Sequence, residues 1–113
     1  MKILITGALG HIGSYVAENI HEITKIKETI LIDNFESNSF SSLYNLNKKS
    51  KLSFYRRDLN NKKSLDNFKN IDYLIHCASM TDAEKSFKKK KEMFRNNLNC
   101  LKTVINFPRL ILF

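Results

Sequence analysis

Tryptophan is absent from these 113 residues, proline occurs once, cysteine twice and glycine three times. So little Gly and Pro, beside 42% hydrophobic and 27% charged residues, excludes fibrous and disordered classes and leaves an ordinary globular chain. The two cysteines, Cys77 and Cys100, lie in apolar stretches without C-x-x-C spacing, which excludes a disulfide scaffold and a thiolate metal site. They read as small core residues of a reducing compartment. No apolar run approaches the length of a membrane span, and residues 1–5 meet Thr6 and Gly7 too soon for the apolar part of a signal peptide. The expected location is the cytoplasm, with no membrane partner.

Acidic residues are also scarce: 11 stand against 19 basic ones, a formal charge of +8. The densest cluster is Lys88, Lys89, Lys90 and Lys91. Such a balance suits any phosphorylated ligand, because positive potential concentrates anions. Nucleic acid is disfavoured as a partner, since neither an aromatic-interleaved basic strand nor a recognition-helix pattern accompanies the charge. The excess is overwhelmingly Lys in a chain equally rich in Asn and Ile, residues of A/T-rich codons.

What is present is alternation. A short Ile-rich run at residues 2–6 stops at glycine and reads as a buried strand. Ile12, Val16, Ile20 and Ile23 recur at helical spacing and predict one buried helix face. Residues 29–32 are the second strand, a weaker helical stretch surrounds Leu43 and Leu46, and residues 52–55 are the third strand. Asn61 or Lys62 opens a short helix with Leu65 and Phe68 inward, and residues 71–77 are the fourth strand. Phe87, Phe94, Leu98, Leu101 and Ile105 predict the buried stripe of the longest helix. Pro108 ends it, and residues 109–113 form a fifth strand. Strands alternating with helices imply an α/β fold, a parallel sheet with helices on both faces, in one domain spanning residues 1–113.

Gly7, Gly10 and Gly13 form G-x-x-G-x-x-G between the first strand and the first helix. Glycine is wanted there to turn the chain, to let the backbone approach a diphosphate, and to let helix and strand pack closely. The amides of the helix start then meet the phosphate charge. Twenty residues after Gly13, Asp33 ends the second strand. A carboxylate at that place accepts hydrogen bonds from the adenosine ribose hydroxyls and repels a 2′-phosphate, which argues for NAD over NADP. No Arg neighbours Asp33 in sequence, and Asn34 is neutral.

These residues resemble the extended short-chain dehydrogenase/reductases, in particular nucleotide-sugar epimerases and dehydratases of the UDP-glucose 4-epimerase kind. The similarity covers essentially the whole chain. It runs through Ile3-Leu4-Ile5-Thr6-Gly7-Ala8-Leu9-Gly10-His11-Ile12-Gly13-Ser14, Leu31-Ile32-Asp33-Asn34, Arg57-Asp58-Leu59, Leu74-Ile75-His76-Cys77-Ala78-Ser79 and Asn96-Asn97-Leu98-Asn99. The resemblance implies a Rossmann-type sheet of strand order 3-2-1-4-5, cut short after the fifth strand. It also implies an NAD site made by Gly7, Gly10, His11, Ile12, Gly13, Asp33, Asn34, Asp58, Leu59, Cys77, Ala78, Ser79 and Asn97. Asp58 would meet the adenine amino group, the segment from Cys77 to Ser79 would line the cofactor, and Asn97 would order the active-site floor. His76, inside an apolar strand, reads as a packed histidine.

Two departures matter. Cys100-Leu101 stands where the family commonly has Gly-Thr. The family's catalytic Tyr-x-x-x-Lys after the fifth strand is also missing, so nothing is assigned to proton transfer. Tyr44-x-x-x-Lys48 matches the pattern by chance, between strands two and three. The expectation is the NAD-binding portion of such an oxidoreductase, not catalytically competent by itself, with a nucleotide-sugar substrate only in a full-length form. A non-catalytic NAD-binding regulatory or interaction module is the alternative. The bare fifth strand predicts self-association.

Overall fold

A computed structural model of the chain describes residues 1–35, 50–78 and 87–112. The order of elements is β1 (Lys2–Thr6), α1 (His11–Ile23), β2 (Glu28–Asp33), β3 (Lys51–Arg56), β4 (Tyr73–His76), α2 (Phe87–Val104) and β5 (Leu110–Leu112). The strands form one sheet in the order β3-β2-β1-β4-β5, and every neighbouring pair is parallel. The expected strand order is therefore the observed one. The helical stretch near Leu43 and Leu46, the Tyr44 and Lys48 pair, Ser79 and Phe113 lie outside the described residues.

Alternate residues of each central strand feed two different cores, which is why the strands read as continuous apolar runs. Leu4, Ile30, Ile32 and Leu74 pack with Cys100, Val104 and Leu101 of α2. Ile3, Ile5, Leu31 and Ile75 pack with Val16, Ala17 and Ile20 of α1 on the opposite face. Among the described residues, one helix covers each side of the sheet.

Four expectations need correction. In α1, Ile12 and Ile23 face solvent, 53% and 82% exposed, while Gly13 and Ala17 are buried. A Cβ on Gly13 would stand 2.0 Å from the Gly7 carbonyl oxygen, so α1 lies too close to the first turn for bulk there, and small residues turn inward. In α2, Phe94, Leu98 and Ile105 are exposed, and only Leu101 of the expected stripe packs on the core. The helix is rotated toward Cys100 and Val104, with Thr103 anchored through its hydroxyl to the Leu59 carbonyl at 2.5 Å. The side chain of Phe87 lies outside the described residues.

No α-helix follows Asn61. Residues 58–68 make successive i→i+3 turns instead, with Asp58, Asn61, Lys63 and Leu65 carbonyls accepting from Asn61, Ser64, Asp66 and Phe68 amides. The Asp58 and Asn61 side chains accept the Asn60 and Lys63 amides, and this local competition withholds donors from a regular helix. Leu65 and Phe68 do turn inward. The strand edges shift as well: β4 is shorter than expected, its start held by the Lys2 amide donating to Asp72 Oδ2 at 2.7 Å.

Candidate functional site

Parallel strands bring the ends of β1, β2 and β4 to one edge of the sheet. After β1 the turn is made at Gly7, whose φ of +68° is left-handed and suits glycine. A Cβ on Gly7 would also come within 2.6 Å of the Ala78 nitrogen. The segment after β4 therefore lies directly against the first glycine, which places Cys77 and Ala78 beside the loop. The Gly10 amide donates to the Gly7 carbonyl at 3.0 Å, and the Ser14 amide to the Gly10 carbonyl at 2.9 Å, where α1 takes over. Gly10 gives α1 no side-chain cap, and no acidic residue occupies its first turn. No side chain of that first turn offsets the partial positive charge at the amide end of the helix. His11 and Ile12, in that first turn, are exposed.

Asp33 closes the other side. It is buried, 9% exposed, and its carboxylate accepts the Leu9 amide at 2.9 Å through Oδ2 and the Phe35 amide at 2.9 Å through Oδ1. The glycine loop and the β2 carboxylate are thus in direct contact. A carboxylate offers about four lone-pair sites, and these two amides are its donors among the described residues. Asn34 is half-buried between Asp33 and Phe35, and Phe35 takes a left-handed φ of 69°.

Thr6 is a hub that sequence reasoning missed. Fully buried, its Oγ1 lies 3.2 Å from the Cys77 amide, 3.4 Å from the Ala78 amide and 2.7 Å from His76 Nδ1. With two amides donating to that oxygen, its proton is left for Nδ1, which puts the His76 proton on Nε2. Burial holds the His76 pKa below its ordinary value and keeps the ring neutral. Burial likewise pushes the Cys77 thiol up to about 11, so it stays protonated at neutral pH.

The remaining sequence candidates sit on the α2 side of the sheet. The Leu59 side chain is buried in the core beneath α2, and Asp58 is exposed, its Oδ1 accepting from the Asn60 amide at 2.9 Å and the Asn60 side chain at 3.0 Å. Asn60 donates onward to Asn96 Oδ1 at 2.6 Å, and Asn96 reaches Asn97 Oδ1 at 3.5 Å. A polar relay therefore joins Asp58 to Asn97. Arg56 was also missed: in the sheet register it stands opposite Asp33. Among the described residues no group of His, Cys, Asp and Glu could hold a metal ion, and no helix is long and apolar enough to cross a membrane.

Residues 3–109 match the model of the family described as "NAD dependent epimerase/dehydratase family". The chain belongs to that family. A dTDP-D-glucose 4,6-dehydratase of Dictyostelium discoideum is 31% identical over 101 residues, covering 86% of this chain and 23% of the relative. A UDP-glucose 4-epimerase of Yersinia enterocolitica is 31% identical over 103 residues, covering 87% of the chain and 30% of the relative. The chain thus spans a third or less of the length of these curated epimerase/dehydratase relatives. Among solved structures, a UDP-N-acetylglucosamine 4-epimerase of Methanobrevibacter ruminantium is similar with TM-score 0.71 and 28% identity, over 92% of this chain and 33% of that one. A UDP-glucose 4-epimerase of Thermotoga maritima shares the fold with TM-score 0.72 at 21% identity, over 99% of this chain and 37% of that one.

Proposed function

We propose that residues 1–113 form one NAD-binding domain in which the opening of α1 holds the cofactor diphosphate and Asp33 holds the adenosine ribose. The observation that carries this reading is the 2.9 Å bond from the Leu9 amide to Asp33, which joins loop and carboxylate directly. The glycines support it. Gly7 is required by its φ and Gly13 by the carbonyl it would strike, but a Cβ on Gly10 would meet only the Gly7 oxygen at an ordinary 3.4 Å. Nothing in the described protein demands glycine at position 10, and close approach of a diphosphate does.

In this reading Asp58 and Leu59 flank the adenine, His11, Ile12 and Gly13 contribute the first-turn amides, and Cys77, Ala78 and Ser79 line the path toward the nicotinamide. Asn34 borders the ribose and Asn97 the active-site floor. NAD, when bound, supplies a carbon that accepts and returns a hydride. The substrate class is a nucleotide sugar, handled in a full-length form. No residue among 1–113 is assigned to proton transfer in this reading, and the part proposed for them is to bind the cofactor. The setting is cytoplasmic, in keeping with two free thiols.

Thermal unfolding tests this. NAD at a hundred times its Kd stabilises the folded chain by about 2.7 kcal/mol. The melting temperature rises more with NAD than with equimolar NADP, and Asp33→Asn removes the difference. Equal shifts in the unsubstituted chain would contradict the role of Asp33. A second reading, an NAD-binding interaction module, is favoured by the bare edge of β5, where Ile111 and Leu112 are 40% and 54% exposed. Self-association through that edge belongs to the same proposal.

A further inference from the structure

The end of β3 carries two arginines with different commitments. Arg57 donates to the Arg56 carbonyl at 3.0 Å, and its guanidinium lies 5.2 Å from the Tyr55 ring centroid and 5.8 Å from that of Phe68. Phe68 packs against the core beneath α2, so Arg57 is held on that face.

Arg56 takes the other face. Leu31 and Phe54 belong with the core beneath α1, and strand alternation sends Asp33 and Arg56, two residues further on, to the same side. They are register partners on neighbouring parallel strands, and the ladder continues past them through the Arg57 amide to the Asp33 carbonyl at 3.0 Å. The Arg56 guanidinium rests 5.8 Å above the Phe35 ring, which stands 5.1 Å from Phe54. That platform is tied to the carboxylate, since the Phe35 amide donates to Asp33 Oδ1 and the left-handed φ of Phe35 turns its ring back over β3. Such a backbone is unfavourable for a bulky residue. Arg56 is exposed and makes no ion pair with a described carboxylate; Glu28 takes Lys2 and Lys51 at the far end of the strands.

We propose that Arg56 is a specificity-determining residue of the adenosine subsite, placed to draw the 2′-phosphate of NADP and so narrow the preference for NAD that Asp33 imposes. The inference rests on the reading of Asp33 as the ribose ligand. A carboxylate there favours a diol and repels a phosphate, whereas a planar guanidinium one strand over matches phosphate oxygens in pairs. The parking contact on Phe35 is weak enough to give up, because a solvent-exposed cation–π contact is screened by water. Binding NADP moves Arg56 from ring to phosphate; binding NAD leaves it where it is.

Calorimetric titration of the 113-residue chain with NAD and with NADP, repeated for Arg56→Ala and Arg56→Lys, tests the assignment. The unsubstituted chain should prefer NAD by no more than about tenfold. Arg56→Ala should weaken NADP about a further tenfold and leave NAD within about twofold, in line with the loss of one charge-assisted contact. Arg56→Lys should fall between them, and the NADP loss should shrink at high salt. An unchanged NAD-to-NADP ratio in Arg56→Ala, or NADP binding too weak to detect in the unsubstituted chain, overturns this inference while leaving the NAD site standing. Failure of NAD itself to bind overturns the proposed function and this inference with it.

Discussion

At the scale of residues, the three glycines of one loop answer to three different constraints, and substitution separates them. Gly13→Ala drives a Cβ into the Gly7 carbonyl, 2.0 Å away, and neither backbone segment can yield cheaply. Urea unfolding should show a loss of about 3 kcal/mol or more. Gly10→Ala meets nothing closer than 3.4 Å, so stability should stay within about 1 kcal/mol while NAD affinity falls at least about tenfold. Wild-type affinity in Gly10→Ala would remove the diphosphate from the loop. Gly7, Gly10, Gly13 and Asp33 were legible in the sequence because fixed spacings along one strand–turn–helix unit carry the signal. Arg56 and Thr6 were not. Arg56 meets Asp33 through strand register, and Thr6 reaches His76 seventy residues away through the pairing of β1 with β4, neither of which a local pattern encodes.

At the scale of elements, the strands could be read and the helix faces only in part: Val16, Ile20 and Leu101 pack as expected and their stripe-mates do not. A strand buried on both sides declares itself as an unbroken apolar run, so β1 and β2 stood out however the helices lie. A helix against such a sheet must also fit its distance. In α1 that favoured Gly13 and Ala17 over Ile12 and Ile23; in α2 it favoured Cys100 and Val104 over Phe94, Leu98 and Ile105. The turns after Asp58 were misread as a helix because Asn and Asp side chains took the backbone donors first. The exposed apolar edge of β5 has its own consequence. Size-exclusion chromatography at high concentration should show the chain eluting above monomer mass, and Ile111→Lys with Leu112→Lys should restore the monomer, because charge on an edge strand opposes pairing. A sharp monomer peak for the unsubstituted chain would refute self-association.

At the scale of the molecule, the sheet order puts the loops after β1 and β4 on opposite sides of a divide, with β2 and its carboxylate next to β1. Ligands of open parallel sheets settle outside the carboxyl ends of the strands at such a divide. In the proposed function that place is where the glycine loop meets Asp33. The most direct measurement is an NMR titration of the 15N-labelled chain with NAD. The account predicts its largest amide shifts at Leu9 to Gly13 and at Asn34, with smaller ones at Cys77 and Ala78. Shifts confined to the lysine-rich start of α2 or to β5, with the loop amides unmoved, would contradict it.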